Sequence, residues 1–127
     1  MTTPLQRVRG LGSAKGGTGS YVAKQVSGLV LGLLTPYIIG LGIYLFGRSR
    51  DFVVASVSSF WVGPPLIAFI ILSAIHMDFG MRAIIEDYVH QHFRKLALLF
   101  LNALFTWAIC LLCIFAILLM MFEAAKE

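Results

Sequence analysis

The segment VSGLVLGLLTPYIIGLGIYLF, residues 26–46, decides the fold because it contains 21 consecutive residues without a charged side chain. A helix needs about 20 apolar residues to cross the hydrocarbon core of a bilayer. A second long apolar segment ends near Met81, and a third occupies residues 96–122. Of the 127 residues, 59% are hydrophobic and only 13% are charged, which is outside the usual balance of a soluble domain. We therefore predict an all-α integral membrane protein with three transmembrane helices.

The predicted organisation has three parts. Residues 1–25 form a basic, Gly-rich cytoplasmic segment, residues 26–122 form a three-helix membrane domain, and residues 123–127 form a periplasmic tail. Within the membrane domain the helices are expected at about 26–46, at 56–81 with a continuation to 89, and at 96–122.

The Lys and Arg side chains set the predicted orientation. Short cytoplasmic loops of membrane proteins carry an excess of these residues. Seven fall on the side of the N-terminus, against three on the other side, so the N-terminus is predicted in the cytoplasm and the C-terminus in the periplasm of a bacterial inner membrane. The seven are Arg7, Arg9, Lys15, Lys24, Arg82, Arg94 and Lys95, and the three are Arg48, Arg50 and Lys126.

The residues of the N-terminal segment do not indicate a function of its own. It lacks the apolar core and cleavage pattern of a signal peptide, so the first helix is expected to be its own insertion signal. The net charge of +4 indicates topology and contact with membrane lipid rather than nucleic-acid binding. Lys15-Gly16-Gly17-Thr18-Gly19 is similar to the start of a P-loop, but Ser20 replaces the phosphate-binding Lys. A flexible segment is predicted instead.

Small residues in the first and third helices indicate packing. Gly28, Gly32 and Gly40 would let a neighbouring helix approach closely, which is how helices associate in lipid. Cys110 and Cys113 lie in the middle of the third helix, without the electropositive setting that reactive thiols need. We interpret both thiols as polarisable packing groups.

His76 is the most informative residue of the second helix. An ionisable side chain at membrane depth costs a few kcal/mol and is a functional candidate by default. Trp61 is interpreted as an interfacial anchor on the outer side, and His76 lies about 22 Å further along the helix axis. The histidine is therefore predicted inside the membrane, nearer the cytoplasm. His90 and His92 fall at or beyond the cytoplasmic boundary and are expected to be solvated.

His76 shares one stripe of its helix with Gly80, Ala83 and Asp87, because these positions follow the i, i+4, i+7, i+11 spacing. Gly80 and Ala83 leave space beside the imidazole for a flat macrocycle. Haem iron accepts a neutral imidazole as an axial ligand, so half of a bis-histidine site is one interpretation. A hydrogen-bonded packing histidine or a proton relay is the other. In the haem interpretation a second protein supplies the other ligand.

The remaining polar residues of the second helix allow several interpretations. Asp87 lies about 16 Å beyond His76 at the cytoplasmic interface. Its neighbour Tyr88 is either an ordinary interfacial anchor or a hydrogen-bond donor to a quinone carbonyl, with Asp87 orienting it or passing protons. Asp78 is expected to pair with Arg82 at i+4 or with a partner subunit. A proton-conducting or transporter subunit using His76 and Asp78 is the alternative function, and a structural assembly factor is a third.

Several motifs follow one another in a fixed order: Gly12-Ser13-Ala14-Lys15 and Gly17-Thr18-Gly19 before the first helix, then His76, Gly80 and Asp87-Tyr88 in the second. This order resembles the smaller hydrophobic membrane-anchor subunit of bacterial succinate dehydrogenase, above all the alphaproteobacterial branch. The resemblance covers the whole chain in length and three-helix plan. Its specific part is the spacing H-x3-G-x6-D-Y in the second helix.

The resemblance implies a role for each of these positions. His76 would be one axial ligand of haem b, the other coming from the larger cytochrome b anchor subunit. Tyr88 would contact ubiquinone near the iron-sulfur subunit, with Asp87 beside the quinone pocket. Members carry an Arg in an R-V-[ST] context before the first helix, whereas here Gln25-Val26-Ser27 follows Lys24. Lys24 is therefore the candidate contact to a haem propionate. The chain would be a non-catalytic subunit that docks the flavoprotein and iron-sulfur subunits on the cytoplasmic face, and the succinate chemistry would take place elsewhere in the complex.

Overall fold

The computed structural model describes residues 4–5 and 14–126. Four helices follow one another in the second of these ranges: α1 Ala14–Leu45, α2 Arg50–Val57, α3 Gly63–Tyr88 and α4 His92–Ala124. The segments Thr18–Leu45, Gly63–Tyr88 and His92–Ala124 are long and apolar enough to cross a membrane. The prediction of three transmembrane helices is thereby confirmed. Residues 1–3, 6–13 and 127, with Arg7, Arg9 and the Gly12-Ser13 pair, lie outside the described residues.

The helix α3 occupies the centre of the arrangement. It packs against α1 on one side and against α4 on the other, while the short helix α2 packs on α4. Side chains of α3 that point in opposite directions therefore meet different neighbours. This position makes α3 the element on which the candidate site is built.

The first helix begins at Ala14 rather than near residue 26. Residues 14–25, expected to be a flexible Gly-rich segment, continue the helix instead. Extending an existing helix costs far less than starting one, because each added residue gains one backbone hydrogen bond. The Gly-rich segment is therefore helical because it extends the long apolar helix that follows it.

The helix α3, which corresponds to the second predicted transmembrane helix, begins at Gly63 rather than near residue 56. The preceding residues form the separate helix α2 and a turn, and the Ser56 and Ser58 hydroxyls donate to the carbonyl oxygens four residues earlier. Pro64 and Pro65 lie in the first turn of α3, where a missing N–H costs no intrahelical hydrogen bond. A Cβ on Gly63 would stand 2.6 Å from the Val57 carbonyl oxygen, so only glycine fits this corner.

Few side chains are buried within the described part of the chain. The long helices instead expose large apolar side chains such as Leu33, Phe100 and Leu111. In a membrane such a surface faces acyl chains or further helices. The side chains that are buried among the described residues are those of Val54, Val57, Ala74, Ile85, Cys110 and Ile117, together with the polar Ser27, Asp78 and Thr106.

Candidate functional site

The imidazole of His76 lies directly against one turn of α1. Its Nδ1 atom is 3.2 Å from the Lys24 carbonyl oxygen and 3.2 Å from Ser27 Oγ. A Cβ on Gly28 would stand only 3.0 Å from His76 Cε1, so the ring occupies the space that a side chain would need. Lys24, Ser27 and Gly28 thus form a shallow seat for the ring, which we call the imidazole seat.

The imidazole seat fixes which ring nitrogen carries the proton. A carbonyl oxygen can only accept a hydrogen bond, so the Nδ1 atom facing Lys24 is the donor. A neutral imidazole then keeps a lone pair on Nε2, the arrangement used by metal-ligating histidines. Among the described residues, Nε2 has no hydrogen-bond partner. Nε2 is therefore the ring nitrogen that could ligate a metal centre.

Space next to His76 fits the requirement of a macrocycle. A Cβ on Gly80, one turn further along α3, would meet nothing within 4 Å. Met77 and Ile84, which flank Gly80 along the helix, are exposed. This part of α3 is therefore not covered by the described residues, and a flat prosthetic group ligated by His76 has room beside it.

The glycines of α1 have different environments. Gly28 contacts the His76 ring, whereas a Cβ on Gly32 or Gly40 would meet nothing within 4 Å. The close approach predicted for Gly28 is thus made by an imidazole of α3. Gly32 and Gly40 face away from the described parts of this chain.

Lys24 takes part in the site with both its backbone and its side chain. The carbonyl belongs to the imidazole seat, and the half-buried side chain lines a groove of about 420 Å³ between α1 and α3. Arg82 and Glu86 line the same groove from α3, so cationic and anionic groups both reach it. Its other lining residues are Ser20, Tyr21, Phe79 and Ala83.

Asp87 and Tyr88 occupy the last turn of α3 and are exposed, Tyr88 to 79%. Within the described ranges no side chain hydrogen-bonds to either of them. His90 and His92 follow in the exposed connection and at the start of α4, as expected. The fold places His76 and Tyr88 on one helix but brings no second element to the tyrosine, so a pocket around it needs residues of another chain.

Asp78 lies on the side of α3 that faces α4 and is 4% exposed. Its Oδ2 atom is 2.9 Å from Arg82 Nη2, which confirms the expected i, i+4 pair. Asn102 of α4 donates from Nδ2 to Asp78 Oδ1 at 2.9 Å. Sequence reasoning missed Asn102, although a lone amide in an apolar helix signals a polar partner. His76 and Asp78 therefore face different helices and do not form a direct relay.

The two cysteines are free and differ in exposure, because Cys110 is buried and Cys113 is exposed. Cys110 lies beside Ala74 and Thr106 along the groove between α3 and α4. No group of three or more His, Cys, Asp or Glu residues that could hold a metal ion occurs in residues 4–5 and 14–126. A metal bound at His76 thus requires ligands from elsewhere, such as a macrocycle.

The chain is a small helical membrane protein with three helices that can span a membrane. Its described residues include one candidate ligand for a prosthetic group, the His76 imidazole of α3 that packs against α1. The chain belongs to the family of succinate dehydrogenase/fumarate reductase transmembrane subunits, whose model matches residues 1–111. The resemblance noted from the sequence is thereby confirmed. Together with the apolar helices, it identifies a multi-pass protein of a bacterial inner membrane.

Two curated relatives carry the same description, succinate dehydrogenase hydrophobic membrane anchor subunit. The protein of Paracoccus denitrificans is 32% identical over 120 residues, which cover 91% of this chain and 88% of the relative. The protein of Rickettsia conorii is 28% identical over 105 residues, which cover 80% of this chain and 81% of the relative. No solved structure matches the chain significantly.

Proposed function

We propose that this chain is the membrane-anchor subunit of a bacterial succinate dehydrogenase, and that it provides one axial ligand of haem b and part of the ubiquinone-reduction site. The observation that carries the haem assignment is the contact between His76 Nδ1 and the Lys24 carbonyl, since it leaves Nε2 free to bind iron. Family membership supports the role as an anchor. Succinate oxidation belongs to other subunits.

The residues around His76 have distinct roles in this proposal. Gly80 would leave the space that the macrocycle needs, and Lys24, whose side chain lines the groove between α1 and α3, would offer its ammonium group to a propionate. Bound haem b supplies a one-electron redox centre within the membrane. This chain's contribution is to orient the imidazole and to cover one side of it with α1.

The quinone part of the proposal rests on Tyr88 and Asp87. Both lie at the end of α3 near the predicted cytoplasmic boundary, where a lipid-soluble quinone can approach a water-soluble electron donor. The exposed Tyr88 hydroxyl would donate to a ubiquinone carbonyl, and the Asp87 carboxylate would orient the tyrosine or pass a proton.

The proposed partners would supply the second axial ligand and would cover the exposed surfaces of α3. His76 is their single histidine at membrane depth, so the second axial ligand would come from the larger cytochrome b anchor subunit. The same subunit would cover the exposed part of α3 beside Gly80. The iron-sulfur subunit, and with it the flavoprotein subunit, would dock at the cytoplasmic end where Tyr88 is exposed.

The test is the absorbance spectrum of the purified complex with His76→Ala. The expected result is a lost or strongly shifted reduced haem b band, while the subunits still co-purify through the other helix contacts. His90→Ala is the matched control, because this exposed histidine lies outside the seat. An unchanged spectrum and haem content in His76→Ala would contradict axial ligation.

A further inference from the structure

Ser27 is one of few buried polar side chains in the described residues, with 2% exposure. Its hydroxyl lies 3.0 Å from the Lys24 carbonyl oxygen, to which it donates, and 3.2 Å from His76 Nδ1. A serine in a transmembrane helix often donates to a carbonyl of the preceding turn. The second contact, made to a side chain 49 residues away, is not explained by helix geometry alone.

The three polar atoms form a closed hydrogen-bonded group. Because the Ser27 proton is directed at the Lys24 carbonyl, the lone pairs of Oγ remain to accept from His76 Nδ1–H. The imidazole proton is therefore shared between two acceptors at the same distance, 3.2 Å. Such a three-centre arrangement opposes rotation of the ring about its χ2 torsion more than a single acceptor does.

We infer that Ser27 is a positioning residue for His76: its hydroxyl oxygen holds the imidazole in the Nδ1–H form and tunes the ligand that Nε2 presents. The inference rests on the proposed haem ligation and gives Ser27 a role that neither the sequence motifs nor the family match assigns to it. Hydrogen bonds from the non-ligating nitrogen orient a metal-bound imidazole and raise its basicity. Ser27 would contribute to both effects together with the Lys24 carbonyl.

A more basic imidazole favours the ferric over the ferrous state, because the ferric iron carries the larger positive charge. Removing one of the two acceptors should thus raise the midpoint potential of the haem. The change expected from one lost hydrogen bond is roughly three- to tenfold in the ferric-to-ferrous ratio at a fixed potential. For a one-electron couple, tenfold corresponds to about 59 mV. A serine present only to fill space would leave this ratio unchanged when replaced by alanine.

The experiment is a potentiometric titration of haem b in the purified complex with Ser27→Ala, accompanied by the low-temperature EPR spectrum of the ferric haem. We expect a more positive midpoint potential and altered g-values, with haem still bound. Ser73→Ala is the matched control, since this hydroxyl lines the groove between α3 and α4 and does not contact the imidazole seat. Its midpoint and g-values should equal those of the unmodified complex.

A midpoint that is unchanged or more negative in Ser27→Ala would overturn the inference. Where Ser27→Ala does not assemble, Ser27→Cys replaces it, because the thiol is close in size but is a weak acceptor. It should give the same positive shift, and an unshifted midpoint overturns the inference equally. His76→Ala separates this result from a failure of the proposed function, since unchanged haem in that variant removes the ligation itself.

Discussion

Gly28 of α1 and His76 of α3 are in such close contact that a methyl group on the glycine would stand 3.0 Å from His76 Cε1 and 3.4 Å from Nδ1. Gly28→Ala should therefore push the ring out of its seat by a few tenths of an ångström, at a cost of about 1–3 kcal/mol typical of overpacking. We expect a lower haem content or a shifted reduced haem b band. The measurement is the haem-to-protein ratio and spectrum of the purified complex.

Gly42→Ala is the control for this variant, because the added methyl group on the same helix would meet nothing within 4 Å. If Gly28→Ala retained full haem with an unchanged spectrum, the contact between the two helices would be looser than the distances indicate. The imidazole seat would then not hold the ring in a unique position.

The Asp78 carboxylate joins α3 to α4 through Asn102 and neutralises Arg82 on its own helix. Breaking a buried ion pair by removing one partner costs about 3–5 kcal/mol. Because the Arg82 side chain is 43% exposed, the expected loss in Asp78→Asn is smaller, about 1–3 kcal/mol. The measurement is the apparent melting temperature of the detergent-solubilised complex, with the exposed Asp51→Asn as the control that should change less.

The same variant tests the alternative function. If the Asp78 carboxylate is purely structural, vesicles containing the Asp78→Asn complex should leak protons at the same rate as vesicles containing the unmodified complex. A proton flux that depends on Asp78, with no change in melting temperature, would instead favour a conducting subunit and count against a purely structural ion pair.

The three transmembrane helices were predictable from sequence because twenty or so apolar residues without charge have few other stable states. The residues at which these helices begin and end were less predictable. The residues of α2 are apolar enough to extend α3, and only the prolines after Gly63 mark the true start. The helical state of residues 14–25 escaped prediction because it depends on the adjoining helix rather than on their own Gly-rich composition.

The candidate site was predictable to a similar degree. His76 stands out because ionisable residues are rare at membrane depth, and Asp78–Arg82 follows from helical spacing. The contacts of Ser27 and Asn102 depend on which faces of α1 and α4 meet α3, and this is a tertiary property. A polar residue in an apolar helix indicates that a partner exists, but its spacing does not identify the partner on another helix.

Topology is the next prediction, and the excess of Lys and Arg near the N-terminus and the α3–α4 connection is its physical reason. Reporter fusions after Glu127 should be active only on the outer side of the membrane. Fusions at His90, in the connection between α3 and α4, should be active only in the cytoplasm. Activity with the opposite pattern would invert the orientation and place Tyr88 on the periplasmic side.

Tyr88 offers the sharpest separation between quinone chemistry and anchoring. Tyr88→Phe keeps the aromatic ring at the end of α3 but removes the exposed hydroxyl. If that hydroxyl donates to a quinone carbonyl in the assembled site, its loss should cost about 1–3 kcal/mol. Electron transfer from succinate to ubiquinone should then fall roughly ten- to a hundredfold.

The control reaction for Tyr88→Phe is succinate oxidation with a soluble acceptor that bypasses the quinone site, and it should stay near normal. An interfacial anchor predicts a different result, because phenylalanine packs at the boundary almost as well as tyrosine and both activities would be unaffected. A parallel fall of both activities would mean that Tyr88 holds the peripheral subunits in place. In either of these cases the hydrogen bond to the quinone would have to be abandoned, and Asp87 would lose the residue it is proposed to orient.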